Sequence, residues 1–300
     1  MSAHTLGALL ALAAALGFSM KAIFVKLAYA YAVGAVTLLS LRMLFALPAF
    51  VWVGLRASRG APGLQRRDYL SVLALGLLGY YGASIFDFLG LQYISAGLER
   101  LILFTYPTLT LLIGVLFQGK TLTGRQLASL LLCYLGIAAA FAHDLEFAVD
   151  STMVWIGGGF VFASSLSYAL YLSGSAPMIH RLGAARFTAL AMLVSTAGTL
   201  LHFALAAPLA SLWQQPWQVY ALGAAMALFS TVLPVFMQSA AIRHLGAGQS
   251  ALIGTTGPII TIFLGWWWLD EPLSGPQLFG AGLVLAGVLL VSLKPRQAAG

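Results

Sequence analysis

Residues 96–115, AGLERLILFTYPTLTLLIGV, and residues 247–266, AGQSALIGTTGPIITIFLGW, are two versions of one segment. At a shift of 151 residues Ala96-Gly97 falls on Ala247-Gly248. Leu101, Thr105, Pro107, Thr110 and Gly114 fall on Leu252, Thr256, Pro258, Thr261 and Gly265. The match runs on through Leu122, Gly124, Gln126 and Leu127, which meet Leu273, Gly275, Gln277 and Leu278, to Gly136, which meets Gly287. Alanine and leucine coincide by chance in apolar helices, so the Pro, Gly and Gln identities carry the weight. The chain is a tandem repeat.

The composition says what the repeat is built from. Only 8% of the 300 residues are charged, 61% are hydrophobic and the mean hydropathy is +0.94. Soluble domains carry roughly 25% charged residues, and a globule of this size has too much surface to hide so apolar a chain. Lipid is therefore the expected solvent, and in lipid only helices or closed barrels satisfy the backbone. Barrel strands would alternate over roughly 10 residues. Here the apolar runs are continuous and close to the ~20 residues that span a bilayer as helix. Charge and Gly/Pro breaks divide the chain into ten spans, at about 4–29, 35–55, 69–92, 97–118, 125–142, 152–172, 185–206, 217–241, 247–268 and 276–293. Leu6 to Ala15 has the length of a signal-peptide core. No Lys or Arg precedes it, however, and the apolar run continues past Lys21 to Tyr31, so a retained first helix is expected.

Eleven of the fifteen basic residues fall in even loops or the C-terminal tail: Arg56, Arg59, Arg66, Arg67, Lys120, Arg125, Arg181, Arg186, Arg243, Lys294 and Arg296. The odd loops carry no Lys or Arg and hold acids instead, Asp144, Glu146, Asp150, Asp270 and Glu271. The positive-inside rule then places both termini in the cytoplasm. Because the sequence pI of 9.7 comes from dispersed loop charges, it does not imply nucleic acid. The expected organisation is a first five-helix repeat, 1–143, a second, 151–294, and a tail, 295–300. Five is odd, so the second copy enters the membrane upside down. Inverted repeats are the architecture of alternating-access carriers, with substrate held between the copies near the midplane.

Candidate residues follow from helical spacing. Tyr80, Ser84 and Asp87 share one face of the third helix, with Tyr81 adjacent. Glu99 and Tyr106 are seven apart in the fourth, with Thr110 beyond. The sixth offers Ser164, Tyr168, Tyr171 and Ser175, and the ninth Gln249, Thr255 and Thr256. A ring of tyrosines with a few hydroxyls suits an amphipathic solute, although such residues also serve as interhelical glue. Lys21, Lys26, Arg42, Asp87, Glu99 and Arg100 are charges inside spans and must face protein or water. They read either as a gate, with Asp87 or Glu99 as a proton carrier, or as static ion pairs. Pro107 and Pro258 lie mid-helix at equivalent places, and each removes a backbone hydrogen bond and bends its helix. The five histidines are scattered and Cys133 stands alone, so no metal, disulfide or cofactor is expected.

Further motifs carry a resemblance. They are Lys26 closing the first helix, Leu41-Arg42, Leu91-Gln92-Tyr93, the stretch from Ala96 to Pro107, and Trp268-Leu269-Asp270-Glu271-Pro272-Leu273-Ser274 followed by Gln277-Leu278-Phe279-Gly280. Together they resemble the drug/metabolite transporter superfamily, in its ten-helix EamA-type branch, over essentially the whole chain. The last stretch is similar to that family's Gly-Glu-Pro-Leu-Thr signature. Two positions depart from it: Phe18 stands where many members have Trp, and Lys120 where the first repeat usually has Glu. The resemblance implies a carrier of small metabolites, often amino acids, in a bacterial inner membrane. A YddG-like exporter of aromatic amino acids is the sharpest member it suggests. The partners it implies are a small-molecule substrate and lipid. Ten helices complete a pathway within one chain, which suits a monomer. An intramembrane lipid-modifying enzyme, a channel and a passive assembly subunit are the competing classes.

Overall fold

The computed structural model describes residues 2–119, 121–147 and 150–292. Lys120, Lys294, Arg296 and the expected tail lie outside the described residues. The described chain is helical throughout, and no strand occurs among its residues. We number the membrane helices α1 (Ala3–Tyr29), α2 (Ala35–Ser58), α3 (Arg66–Gly90), α4 (Ala96–Phe117), α5 (Gly124–Phe147), α6 (Ser151–Leu182), α7 (Ala184–Ala206), α8 (Trp217–Gly246), α9 (Leu252–Leu269) and α10 (Gly275–Ser292). Nine of them are long and apolar enough to cross a membrane, and the tenth, over Gly275–Leu290, is a shorter apolar helix.

Polar side chains set several of the helix starts. Ser2, Ser95 and Asp150 accept from the backbone N–H of Thr5, Leu98 and Thr152, and Gln65 with Asp68 forms a capping box. Several ends differ from expectation, α8 running to Gly246 and α9 starting at Leu252 among them. Helix α6 runs ten residues beyond position 172, because Pro177 leaves it intact, as is common where neighbouring helices re-satisfy the backbone. Helix α5 continues to Phe147, which takes Asp144 out of the loop and into a helix.

The backbone departs from regular helix at places that recur with the 151-residue spacing of the sequence repeat. A π-helical turn covers Leu77–Gly82 in α3 and another covers Leu228–Val232 in α8. Helix α4 breaks at Phe104 and Thr105, and α9 at Thr255 and Thr256. Pro107 and Pro258 are each the second residue of the segment that restarts, so each stands at a break rather than in a smooth bend. Proline gives the carbonyl four residues earlier no N–H. At Leu103 that carbonyl accepts instead from the Ser165 hydroxyl at 3.1 Å. Gly119 and Asp270 both end a helix with positive φ, 66° and 54°. Gly183 ends α6 at 79°, and Ala32, in the turn after α1, holds 56°.

The packing shows how the copies are related. Helices α5 and α10 occupy equivalent places in the two copies and cross in close contact. A Cβ on Gly136 would lie 2.4 Å from the Gly280 carbonyl, and one on Gly287 would lie 2.6 Å from Cys133 Sγ. The Ser129 hydroxyl donates to the Gly287 carbonyl at 2.6 Å. As α5 advances from Ser129 to Gly136, its partner position retreats from Gly287 to Gly280, so the two helices are antiparallel. The 136–280 contact becomes the 287–129 contact under the repeat shift. This is the signature of two copies related by a pseudo-two-fold axis across the helix direction. Helices α2 and α7 likewise pack together, while α1 lies along α8 and α9 as α6 lies along α3 and α4. The side chains that face outward are large and apolar, among them Leu116, Phe117, Leu205, Trp213 and Trp217. They form the surface that lipid covers.

Candidate substrate cavity

A cavity of about 600 Å³ lies between the copies and is lined from helices of both. That is within the range of small-molecule sites, roughly 300–1,000 Å³. Both π turns border it, through Gly79 and Tyr80 on α3 and through Ser230 and Thr231 on α8. A π turn inserts one extra residue and redirects the side chains around it, a feature frequent at functional sites.

One wall is aromatic. The rings of Tyr106 and Tyr168 meet edge-on at 5.1 Å, and Tyr168 stacks on Tyr171 at 5.7 Å. The Tyr80 and Tyr171 hydroxyls are 3.2 Å apart. Gly79 makes this wall possible, since a Cβ there would sit 2.3 Å from the Tyr171 ring. Ser164 uses its hydroxyl to bridge α6 to the Ala83 carbonyl of α3 at 2.6 Å.

The other wall is charged. Lys21 Nζ lies 2.6 Å from Asp87 Oδ2 and 3.2 Å from Glu99 Oε1, with both carboxyls buried. Arg42 donates from Nε to Thr231 Oγ1 at 3.1 Å and lies over the Phe88 ring. Arg100 lies over the Phe104 ring and beside Gly257.

Beyond this wall the end bearing the acidic loops is closed. The α4 start packs against the α9 end, with Gly97 against Ile262 and Ala96 near Gly265. Glu271 accepts from the Ala96 N–H through both carboxylate oxygens, at 2.9 and 3.1 Å, and sits 3.9 Å from Lys26 Nζ. It thus satisfies a free donor at a helix N-terminus with a negative charge. Burial raises the Glu271 carboxyl above its ordinary value, opposed by the Lys26 ammonium and the Ala96 N–H. Asp144 accepts from the adjacent Ser95 N–H at 3.1 Å. Towards the basic end, by contrast, the Tyr106–Gln118 segment of α4 packs chiefly on α6.

Of the residues singled out in the sequence, Tyr80, Ser84, Tyr106, Pro107, Ser164, Tyr168, Thr255, Lys21, Arg42, Asp87 and Arg100 line the cavity. The rest lie elsewhere. Tyr81 points to α7 and bonds His202 Nδ1 at 3.0 Å. Tyr171 stands behind Tyr80 and Tyr168 and stacks on Phe187. Thr256 bonds the Ile253 carbonyl, while its neighbour Thr255 lines the cavity. Gln249 is exposed. Glu99 is fully buried beside the cavity wall, Lys26 belongs to the closed end, and Pro258 is buried at the α9 break. Thr188, Ser230, Thr231 and Gln238 line the cavity without having been expected there. Their helices, α7 and α8, hold one arginine each, Arg186 and Arg243, and a single tyrosine, Tyr220, so no repeated spacing marks a face. The second-copy counterpart of Tyr80 was the available signal, and it falls on Thr231.

The repeat that organises the fold also matches a known protein family at the level of sequence. Its sequence model, described as the EamA-like transporter family, matches residues 5–142 and again residues 155–293. The chain belongs to the EamA-like transporter family. It is similar to the uncharacterized transporter YcbK of Bacillus subtilis, with 29% identity over 287 residues, 92% of this chain and 90% of that one. It is also similar to the uncharacterized transporter YyaM of the same organism, with 23% identity over 76% of this chain and 74% of the other. A solved crystal structure shares the fold at a TM-score of 0.64 and 18% identity, covering 98% of both chains. This EamA-like chain is therefore a multi-pass membrane transporter of a small molecule and not an enzyme, which removes the lipid-modifying alternative.

Proposed function

We propose that this transporter carries small metabolites across a bacterial inner membrane by alternating access, amino acids being the expected class and export the expected direction. Aromatic and other neutral amino acids are the first to test. The observation that carries this reading is the cavity between the copies, shut at one end by the Glu271 contacts and the α4–α9 packing. Under the positive-inside rule the shut end faces outward and both termini lie in the cytoplasm, so the cavity belongs to an inward-facing state. The halves that exchange shape are 1–143 and 151–294. No nucleic acid takes part, and the monomer is the working unit. The tyrosine wall offers faces for stacking and hydroxyls for hydrogen bonds, which suits a solute with an apolar side chain and a polar head.

The test is uptake of radiolabelled threonine, methionine and phenylalanine into proteoliposomes, with and without an imposed pH gradient. Saturable uptake of at least one is expected, and Tyr168→Ala should reduce it at least tenfold. Uptake of none of them removes the amino acid reading and turns the search to other metabolites.

A further inference from the structure

The cluster formed by Lys21, Arg42, Asp87, Glu99 and Arg100 is unbalanced. Lys21 lies within reach of both carboxylates, at 2.6 and 3.2 Å, whereas neither arginine has an ion-pair partner among the described residues. Three cations therefore face two acids. Even with both carboxyls ionised, one positive charge is left over beside the cavity. Both arginines are more than nine-tenths buried, with exposures of 7% for Arg42 and 8% for Arg100. Both line the cavity, and each has a buried N–H with no acceptor, Nη1 of Arg42 and Nε of Arg100. Ser230, at the α8 π turn, also lines it with an unpartnered hydroxyl. Buried donors left unsatisfied are costly, and a guanidinium cannot relieve the cost by losing its proton. A ligand that brings acceptor oxygens and one negative charge into this cavity supplies what these groups lack.

We propose that Arg42 and Arg100, with Ser230, form the subsite for a singly charged anionic head on the transported solute, a carboxylate, while the tyrosine wall holds its apolar part. Arginine is suited to this because its planar donors match carboxylate geometry. The inference rests on the carrier reading for its context, but binding tests it independently of flux.

The purified full-length protein in detergent is titrated with L-phenylalanine, 3-phenylpropionate, L-phenylalaninamide and inorganic phosphate, and its thermal unfolding is followed. Phenylalanine or 3-phenylpropionate should raise the melting temperature in a saturable way, and the amide should not. Arg42→Gln and Arg100→Gln should each weaken acid binding by roughly tenfold or more, the loss expected for a hydrogen bond to a charged group. Arg100→Lys should recover part of it. The matched acid and amide need only the wild-type protein, so misfolding of a variant leaves the comparison intact. An amide that binds as well as its acid overturns the proposal, as does unchanged acid binding in either Gln variant. Failure of both acids to bind overturns it too, and binding of phosphate alone overturns the assignment to a carboxylate. Acid binding that depends on the arginines, with no flux of amino acids in proteoliposomes, would leave this site standing and remove the amino acid carrier reading instead.

Discussion

Replacing Lys21 by methionine removes the one ammonium that the Asp87 and Glu99 carboxylates share. Its two ion pairs span 2.6 and 3.2 Å, and both acids are buried, with Glu99 at 0% exposure. At an effective dielectric near 20, each pair is worth about 5–6 kcal/mol of direct attraction before desolvation is counted. Removing one partner of a buried pair costs about 3–5 kcal/mol, because the other charge is left uncompensated. Lys21→Met leaves both carboxylates without a cation within ion-pair distance, while the Arg42 and Arg100 charges still offset them from further away, so a loss within that range is expected. Asp87→Asn alone should cost less, since Lys21 keeps Glu99. The triple variant Lys21→Met, Asp87→Asn, Glu99→Gln should recover most of the loss. Reversible unfolding in bicelles measures all three. If Lys21→Met unfolds within about 1 kcal/mol of wild type, well under the buried-pair range, or the triple variant is no better than the single one, the buried-pair account is wrong. Flux through the triple variant then separates two roles. Retained transport marks static ion pairs, and lost transport in a folded protein marks a gate.

Further outcomes follow from other parts of the structure. Gly136→Ala and Gly280→Ala drive a Cβ to 2.4 and 2.3 Å from backbone oxygen across the α5–α10 crossing. Each should cost about 1–3 kcal/mol of stability, whereas Gly282→Ala, with nothing within 4 Å, should be neutral in the same assay. Ala32 holds φ at 56° where its repeat counterpart is Gly183, so Ala32→Gly should stabilise by about 1 kcal/mol or less, once the relief of left-handed strain is set against backbone entropy. Because burial raises Glu271 in the closed structure, the closed end binds a proton more tightly than an open one. Its stability is then greatest below the ordinary glutamate value, about 4.3, and declines as pH rises through the raised value. Spin-label distances across the acidic end should lengthen over that window, and an unchanged profile in Glu271→Gln would refute the assignment.

The fold was legible because its signals are long and redundant. Ten apolar runs, the one-sided basic loops and the Pro107/Pro258 register each pointed to the same repeat. The site was legible where chemistry is rare in membranes, at Lys21, Arg42, Asp87 and Arg100, and where spacing placed tyrosines on one face. It was not legible where a single residue of register decides. Tyr81 and Tyr171 differ from their cavity-lining neighbours only by rotation about a helix axis, and in α3 the π turn alters that rotation locally. Likewise the sequence offered Thr255 and Thr256 together, and only Thr255 reaches the cavity, because the helix breaks at this pair. Glu271 read as a loop acid, since nothing local says that a distant helix N-terminus will come to rest on it.

The paired backbone irregularities bear on a different question, how the molecule divides its time. Two identical copies, each able to adopt the other's shape, would face both compartments equally often, with an equilibrium constant of one. Each difference between the copies weights that balance. At one end Glu271 ties down the first turn of α4. The residue at the matching position of the first copy is Lys120, a cation with no oxygen to offer a helix N-terminus. In the alternating carrier proposed above, the sequence offers no matching acceptor at position 120, so the Glu271 anchor weights the balance toward the shape that closes the acidic end.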